Sequence, residues 1–246
     1  MPSPVGDNPP APGKPDPNVV IAAVPFTSPQ PQGGQYQILI TNEMDPTDKM
    51  DKIIALAAAG PPGDNFQGTA RRAAKLSISA AQVEHFDDLQ GLIASLVADA
   101  DMEALGIPTS ADSGRVEQED RNVEVRAFLY AASRESDNDF HLILGPDPSL
   151  GSSSFMTMEV SGLPPDGSGS LDTLSTVRDT FKGQFDGNLP GFGYNFFKPP
   201  IPVDIGGSLF FDATHASGGP TPGPRDAKPV TIWEVHPVTT LTFEPG

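Results

Sequence analysis

SLDTLSTVRDTFKGQFDG, residues 170–187, is the stretch on which the fold turns. Leu171, Leu174, Val177, Phe181 and Phe185 recur at steps of three and four, the apolar stripe of an amphipathic helix. Ser170 stands where an N-cap belongs and Gly187 where a C-terminal glycine belongs. On both sides of this helix the pattern is that of strands. Upstream, NVEVRAFLYAA (122–132) turns Val123, Val125, Ala127 and Leu129 to one face. DFHLILG (139–145) sets Phe140, Leu142 and Leu144 against Asp139, His141 and Ile143. FMTMEVSG (155–162) sets Met156, Met158 and Val160 against Thr157 and Glu159. Downstream come IPVDIGGSLFFDA (201–213) and VTIWEVHPVTTLTF (230–243), with Gly206-Gly207 marking a bulge or sharp bend.

Three strands, one helix and two strands is the order of an OB-fold, in which the helix bridges the third and fourth strands and plugs the barrel end. A β-sandwich is the rival, but it does not normally insert a single amphipathic helix at that point. The sequence therefore predicts a mainly β chain with flanking helices (α+β), its OB-fold-like five-stranded barrel spanning 111–246.

Ahead of the barrel, 35–110 reads as a mixed α/β region. QYQILITN (35–42) is a strand carrying Tyr36, Ile38 and Ile40 on one side, and DPTDKMDKIIALAAAG (45–60) is a helix stopped by Gly60-Pro61. Residues 79–106 show helical spacing through Phe86, Leu89, Ile93, Leu96, Val97 and Ala100, and 108–121 reads as a polar linker. Residues 1–34 hold ten prolines and predict an extended, flexible arm. The apolar run VVIAAVPF (19–26) is too short to span a bilayer, and MPSPVGDNPP lacks the basic and apolar regions of a secretory signal, so a soluble chain is expected.

The net charge is −17 and the isoelectric point near 4.3, with 9 basic against 18 acidic residues from Arg115 onward. Non-specific nucleic-acid binding draws on Lys and Arg neutralising phosphates, so this balance disfavours it. With no cysteine in the chain, disulfides, thiolate catalysis and Cys-ligated metals are excluded.

Histidine is scarce, four in all, and three lie in the barrel segment close to a carboxylate. The pairs are Asp139-x-His141, Asp212-x-x-His215 and Glu234-x-His236. Period-two geometry sets Asp139 beside His141 and Glu234 beside His236 on one strand face. Imidazoles with carboxylates bind Zn²⁺ or act as an oriented base, which makes His141, His215 and His236 candidate metal ligands and Asp139, Asp212 and Glu234 their candidate partners in catalysis. The bland alternative is separate structural roles, since neither HExxH nor a close His pair is present.

Other features carry less. Trp233, with Val235, faces away from Glu234 and His236 and reads as core. ESDNDF (135–140) reads as a hairpin turn, and it lacks the distal Glu of an EF-hand. Arg71, Arg72 and Lys75 form the one basic cluster, expected on a solvated helix face. GGPTPGP lacks the Lys-Ser/Thr of a phosphate loop, and no Gly-x-Ser-x-Gly is found.

DNDFHLIL, then GSLFFDATH, then WEVHPV resembles a group of uncharacterised bacterial proteins. Its members share a D-x-D-[FY]-H-L-x-[LI] strand, an FFD or FYD followed by His, and a terminal [WL]-E-[IVL]-H-P-V segment. The resemblance covers about residues 108–243 and implies exported relatives, some with cysteines in these motifs. At fold level the topology is similar to nucleic-acid-binding and staphylococcal-nuclease-like OB barrels, which does not transfer a function. Two readings follow. One is an OB-fold-like binding module for an unknown ligand or protein partner. The other is a metal-assisted hydrolase, phosphodiesterase- or nuclease-like, built on the His/Asp/Glu cluster.

Overall fold

The computed structural model describes residues 23–27, 35–44, 63–151, 154–216 and 221–244. The helix expected over 45–60 lies outside the described residues, as does the Pro-rich arm apart from 23–27. The strands are β1 (Ala23–Thr27), β2 (Gln35–Ile40), β3 (Val83–Phe86), β4 (Asn122–Arg134), β5 (Phe140–Gly145), β6 (Phe155–Val160), β7 (Asn195–Phe211) and β8 (Pro229–Phe243). The helices are α1 (Arg72–Lys75), α2 (Leu89–Ala94), α3 (Asp99–Glu103) and α4 (Leu171–Gln184).

Five strands close a barrel in the order β4-β5-β6-β8-β7, with β7 returning to β4. Its β6–β8 pairing is parallel and the other four are antiparallel. Counted along the barrel, the third and fifth strands lie side by side with α4 inserted before the fourth, as expected for an OB-fold-like barrel. The alternating apolar residues of each strand point inward and join one core: Val123, Val125, Leu129, Phe140, Leu142, Met156, Met158 and Trp233 among them. From α4, Val177 and Phe181 enter the same core. The Phe181 ring lies 4.7 Å from that of Phe140 and 4.9 Å from that of Phe185. Each such ring contributes roughly 1.5–3 kcal/mol by leaving water. Ser170 does not cap α4 with its side chain; its hydroxyl donates instead to the Leu76 carbonyl at 2.7 Å.

β7 and β8 are long because they coil around the barrel, and the expected bend falls at Gly206-Gly207, where the β7–β8 register slips. A Cβ on Gly207 would lie 2.1 Å from the Pro237 carbonyl oxygen, so only glycine admits this approach. Outside the barrel, β2 pairs with the first residues of β7 and β3 runs parallel to the start of β4.

Three expectations upstream are corrected. Residues 79–106 are not one helix. Val83–Phe86 is taken by pairing with β4, and α2 begins only after Asp88, whose carboxylate accepts from the Gly91 N–H at 2.8 Å. Residues 108–121 are not a free linker, because Arg115 and Glu119 tie them to the barrel. Nor are Arg71 and Lys75 on a solvated face. Arg71 is fully buried, bidentate to Glu119 at 2.6 and 2.7 Å, with its guanidinium 4.7 Å from the Phe210 ring centre.

That packing has a consequence for the barrel wall. Every residue of β5 and β6 is buried, including those that face outward. Residues 63–75 and the β4–β5 hairpin cover this face. Phe66 N–H donates to the Leu163 carbonyl, Gln67 N–H to that of Asp137, and the Asn138 amide to the Gly63 and Asn65 carbonyls. Gly162 sits so close beneath that a Cβ there would lie 2.6 Å from Phe66 Cα.

Candidate metal centre

The β5–β6 register sets His141 opposite Glu159, and the β6–β8 register sets Thr157 opposite Glu234. Their sequence neighbours Leu142, Met158 and Val235 fill the barrel, so His141, Glu159, Glu234 and His236 point to its outside. There they meet the covering segments instead of water. His141 and His236 are fully buried, and the side chains of Glu159 and Glu234 are each 3% exposed.

The contacts divide into two groups joined by a third. In the first group, His141 Nδ1 lies 2.6 Å from Glu135 Oε1 and 2.9 Å from Glu159 Oε1. His141 Nε2 lies 3.4 Å from the Thr157 hydroxyl, and the Tyr194 ring meets the imidazole edge-on at 5.9 Å. In the second group, His215 Nδ1 lies 3.1 Å from Asp212 Oδ2, while Asp212 Oδ1 accepts from the Thr214 N–H and hydroxyl. Glu234 completes it: one ligand atom from each of Asp212, His215 and Glu234 lie within 4.8 Å of one another, as do those of Glu135, His141 and Glu159. Between the groups is His236, with Nε2 3.3 Å from Asp139 Oδ2 and Nδ1 3.5 Å from Glu234 Oε2. Lys75 enters from α1, its ammonium 3.4 Å from Asp137 Oδ2.

Neighbouring groups anchor the layer. Asp139 Oδ1 accepts from the Gly162 N–H at 2.6 Å. The Arg115 guanidinium donates to the carbonyls of His236 and Ser77 at 2.7 and 2.8 Å, and also to that of Leu209. Burial lowers the Arg115 guanidinium to about 10, which still leaves it charged at neutral pH. Several polar atoms nevertheless have no hydrogen-bond partner of acceptable geometry, among them Asp139 Oδ2, Glu159 Oε2, Glu234 Oε2 and both ring nitrogens of His236. Such orphaned buried groups cost free energy and call for an explanation.

Electrostatics sharpens the point. Burial pushes the Glu159 carboxyl up to about 7. Burial also raises Asp139 well above the ordinary carboxylate range, reinforced by Asp137 and Glu159, and it raises Glu234 likewise, reinforced by Asp212 and Glu159. His236 is depressed well below the ordinary imidazole range by burial and by the charges of Lys75 and Arg115. Burial thus works against the charged form of both partners in the Asp139–His236 contact. His141 goes the other way: burial opposes its charge, but Tyr194, Glu159 and Glu135 more than offset that and hold it well above its usual range. Asp212 is depressed, since hydrogen bonds from His215 and Thr214 and the Lys75 charge outweigh burial. Lys75 stays charged against strong burial because Asp137, Asp212, Glu234 and Asp139 surround it.

All six residues singled out in the sequence thus fall in one layer, with different partners. Asp212 meets His215 as the spacing implies, and Glu234 lies 3.5 Å from His236 and within 4.8 Å of His215. Asp139 does not pair with His141. It precedes β5, where the chain leaves the hairpin, and its carboxyl turns to His236 across the layer, leaving His141 to Glu135 and Glu159. Sequence reasoning missed Lys75, Glu135, Asp137 and Glu159. For Glu159 the signal was present, because an antiparallel β5–β6 pair in this register brings it against His141.

Compared with protein-family models, with curated proteins and with solved structures, the chain matches none.

Proposed function

We propose that this chain is an OB-fold-like binding module whose ligand is a divalent transition-metal ion, held in the buried layer on the outer barrel face. The observation that carries this reading is the convergence of Glu135 Oε1 and Glu159 Oε1 on the single His141 Nδ1, at 2.6 and 2.9 Å. A ring nitrogen carries at most one hydrogen and cannot satisfy both carboxylates. A cation among the three satisfies all of them. Imidazole with carboxylate, and no sulfur, suits Zn²⁺, Mn²⁺ or Fe²⁺, with zinc the tighter binder in the usual affinity order. The three sequence motifs of the bacterial group resembled here each send side chains to this layer, which supports reading them as one site.

Metal-assisted hydrolysis requires a substrate to reach the ion. His141, His236, Glu159 and Glu234 are each no more than 3% exposed, and the most open ligands, Glu135 and His215, only 16%, which favours binding over turnover. The test is elemental analysis of untagged protein dialysed against Zn²⁺ and then against metal-free buffer. Retention of zinc, reduced in Glu159→Gln and His141→Ala, is expected. A wild-type chain that retains no zinc, manganese or iron sinks the proposal.

A further inference from the structure

We infer that the layer holds two metal ions, the second on Asp212, His215 and Glu234; this rests on the reading just given. The two ligand sets share no residue, and each brings one atom from three side chains within 4.8 Å. The second set has the marks of a prepared site in its own right. Asp212 Oδ1 is occupied by the Thr214 N–H at 2.9 Å and hydroxyl at 2.5 Å, which aims Oδ2 at His215. Such outer contacts orient metal ligands. Glu234 Oε2 is buried without a hydrogen-bond partner.

The layer carries carboxyl groups enough for two ions. Glu135 and Glu159 belong to the first set and Asp212 and Glu234 to the second, two per divalent ion, so each bound ion is neutralised by the deprotonated carboxylates of its own set.

Each site has one partly exposed ligand: the side chains of Glu135 in the first set and His215 in the second are both 16% exposed.

The experiment counts ions. Full-length protein is titrated with Zn²⁺ by calorimetry, and bound zinc is confirmed by elemental analysis, for wild type, Glu159→Gln, His215→Ala and the near-isosteric Glu234→Gln. Wild type is expected to bind two ions per chain. Glu159→Gln is expected to keep the ion on Asp212, His215 and Glu234, and His215→Ala and Glu234→Gln the ion on Glu135, His141 and Glu159. A wild-type stoichiometry of one, with His215→Ala and Glu234→Gln both binding as wild type, overturns the second site and leaves the first standing. Loss of all zinc from His215→Ala and Glu159→Gln alike also overturns it, since that is the behaviour of a single shared site. Absence of zinc from wild type refutes the underlying reading instead.

Discussion

The stability of the metal-free protein should fall as pH rises, and bound metal should reverse that slope. Glu159 sets the scale. Its carboxyl moves from an ordinary 4.5 to about 7 in the folded chain because burial penalises the charge. At ~1.4 kcal/mol per pH unit, that rise amounts to ~3 kcal/mol of folded-state preference for the protonated form. The sign follows from linkage: a folded-state value above the unfolded one gives a contribution fully present below pH 4.5 and lost by about pH 7. Asp139 and Glu234 are raised too and act in the same direction, as does His141. His236, depressed by burial, works oppositely, gaining stability as pH rises toward its ordinary range. Three carboxyls and one imidazole against one imidazole leave a net loss on going from pH 5 to pH 8.

With zinc bound the ligands must be deprotonated, so binding releases protons and strengthens as pH rises. At a free concentration a thousand times Kd the ion contributes ~4 kcal/mol. The assay is thermal unfolding at pH 5, 6, 7 and 8, with chelator and with excess zinc. For a chain of this size ~3 kcal/mol corresponds to a Tm change of roughly 6–12 °C. The chelated wild type should melt lower at pH 8 than at pH 5, Glu159→Gln should flatten that slope, and zinc should invert it. A chelated protein whose Tm is level or rising over this range would refute the reasoning, because the buried carboxyls would then have compensation within the chain.

Three further outcomes are expected. Arg115→Ala removes donors to four backbone carbonyls, those of Ala74, Ser77, Leu209 and His236, and should cost about 3 kcal/mol or more in urea unfolding as well as weakening zinc retention through the loosened His236 backbone. Gly207→Ala drives a Cβ against the Pro237 carbonyl and should lower Tm sharply, whereas Gly183→Ala, where a Cβ meets nothing within 4 Å, should leave it unchanged or slightly higher. Phe181→Ala opens the plug between Phe140 and Phe185 and should destabilise by about 3–5 kcal/mol, detectable as a shifted urea midpoint at unchanged slope.

The barrel was legible because its evidence is local. Alternation in 122–132 and 155–162, the stripe in 170–187 and the glycine pair at 206–207 each depend on neighbours within a few residues. The same locality explains the failures. Val83–Phe86 became a strand because β4 offered it an edge, a partner about forty residues away that its own helical spacing did not announce. Arg71 and Lys75 looked solvated because Glu119 and Asp137, 48 and 62 residues on, are what bury them. For the site, the histidine–carboxylate spacings located the right layer, but they assigned Asp139 to His141 by sequence distance. Cross-strand register gives His141 to Glu159 instead, and the chain leaving the hairpin ahead of β5 turns Asp139 to His236.

The outer face of an antiparallel strand pair is ordinarily its wet side, where His141, Thr157 and Glu159 need no special account. Here residues 63–75 are laid over that face and anchored by an apolar contact at Phe66, a buried Arg71–Glu119 pair and the Arg115 clamp. A cover whose only purpose was to extend the core would favour apolar residues beneath it, because replacing buried charges by well-packed hydrophobes is often neutral or stabilising. Instead six carboxyl groups, four of them buried, and two fully buried histidines gather beneath it, and it adds a lysine of its own. Local rules are broken at functional sites and compensated elsewhere. Among the described residues the Lys75 ammonium, the Gly162 N–H on Asp139 and the Thr214 donors on Asp212 offset part of this burial, yet Asp139 Oδ2, Glu159 Oε2 and Glu234 Oε2 have no hydrogen-bond partner. On the reading proposed above, bound cations supply the missing stabilisation, and the integrity of the cover and the occupancy of the layer then form a single coupled equilibrium.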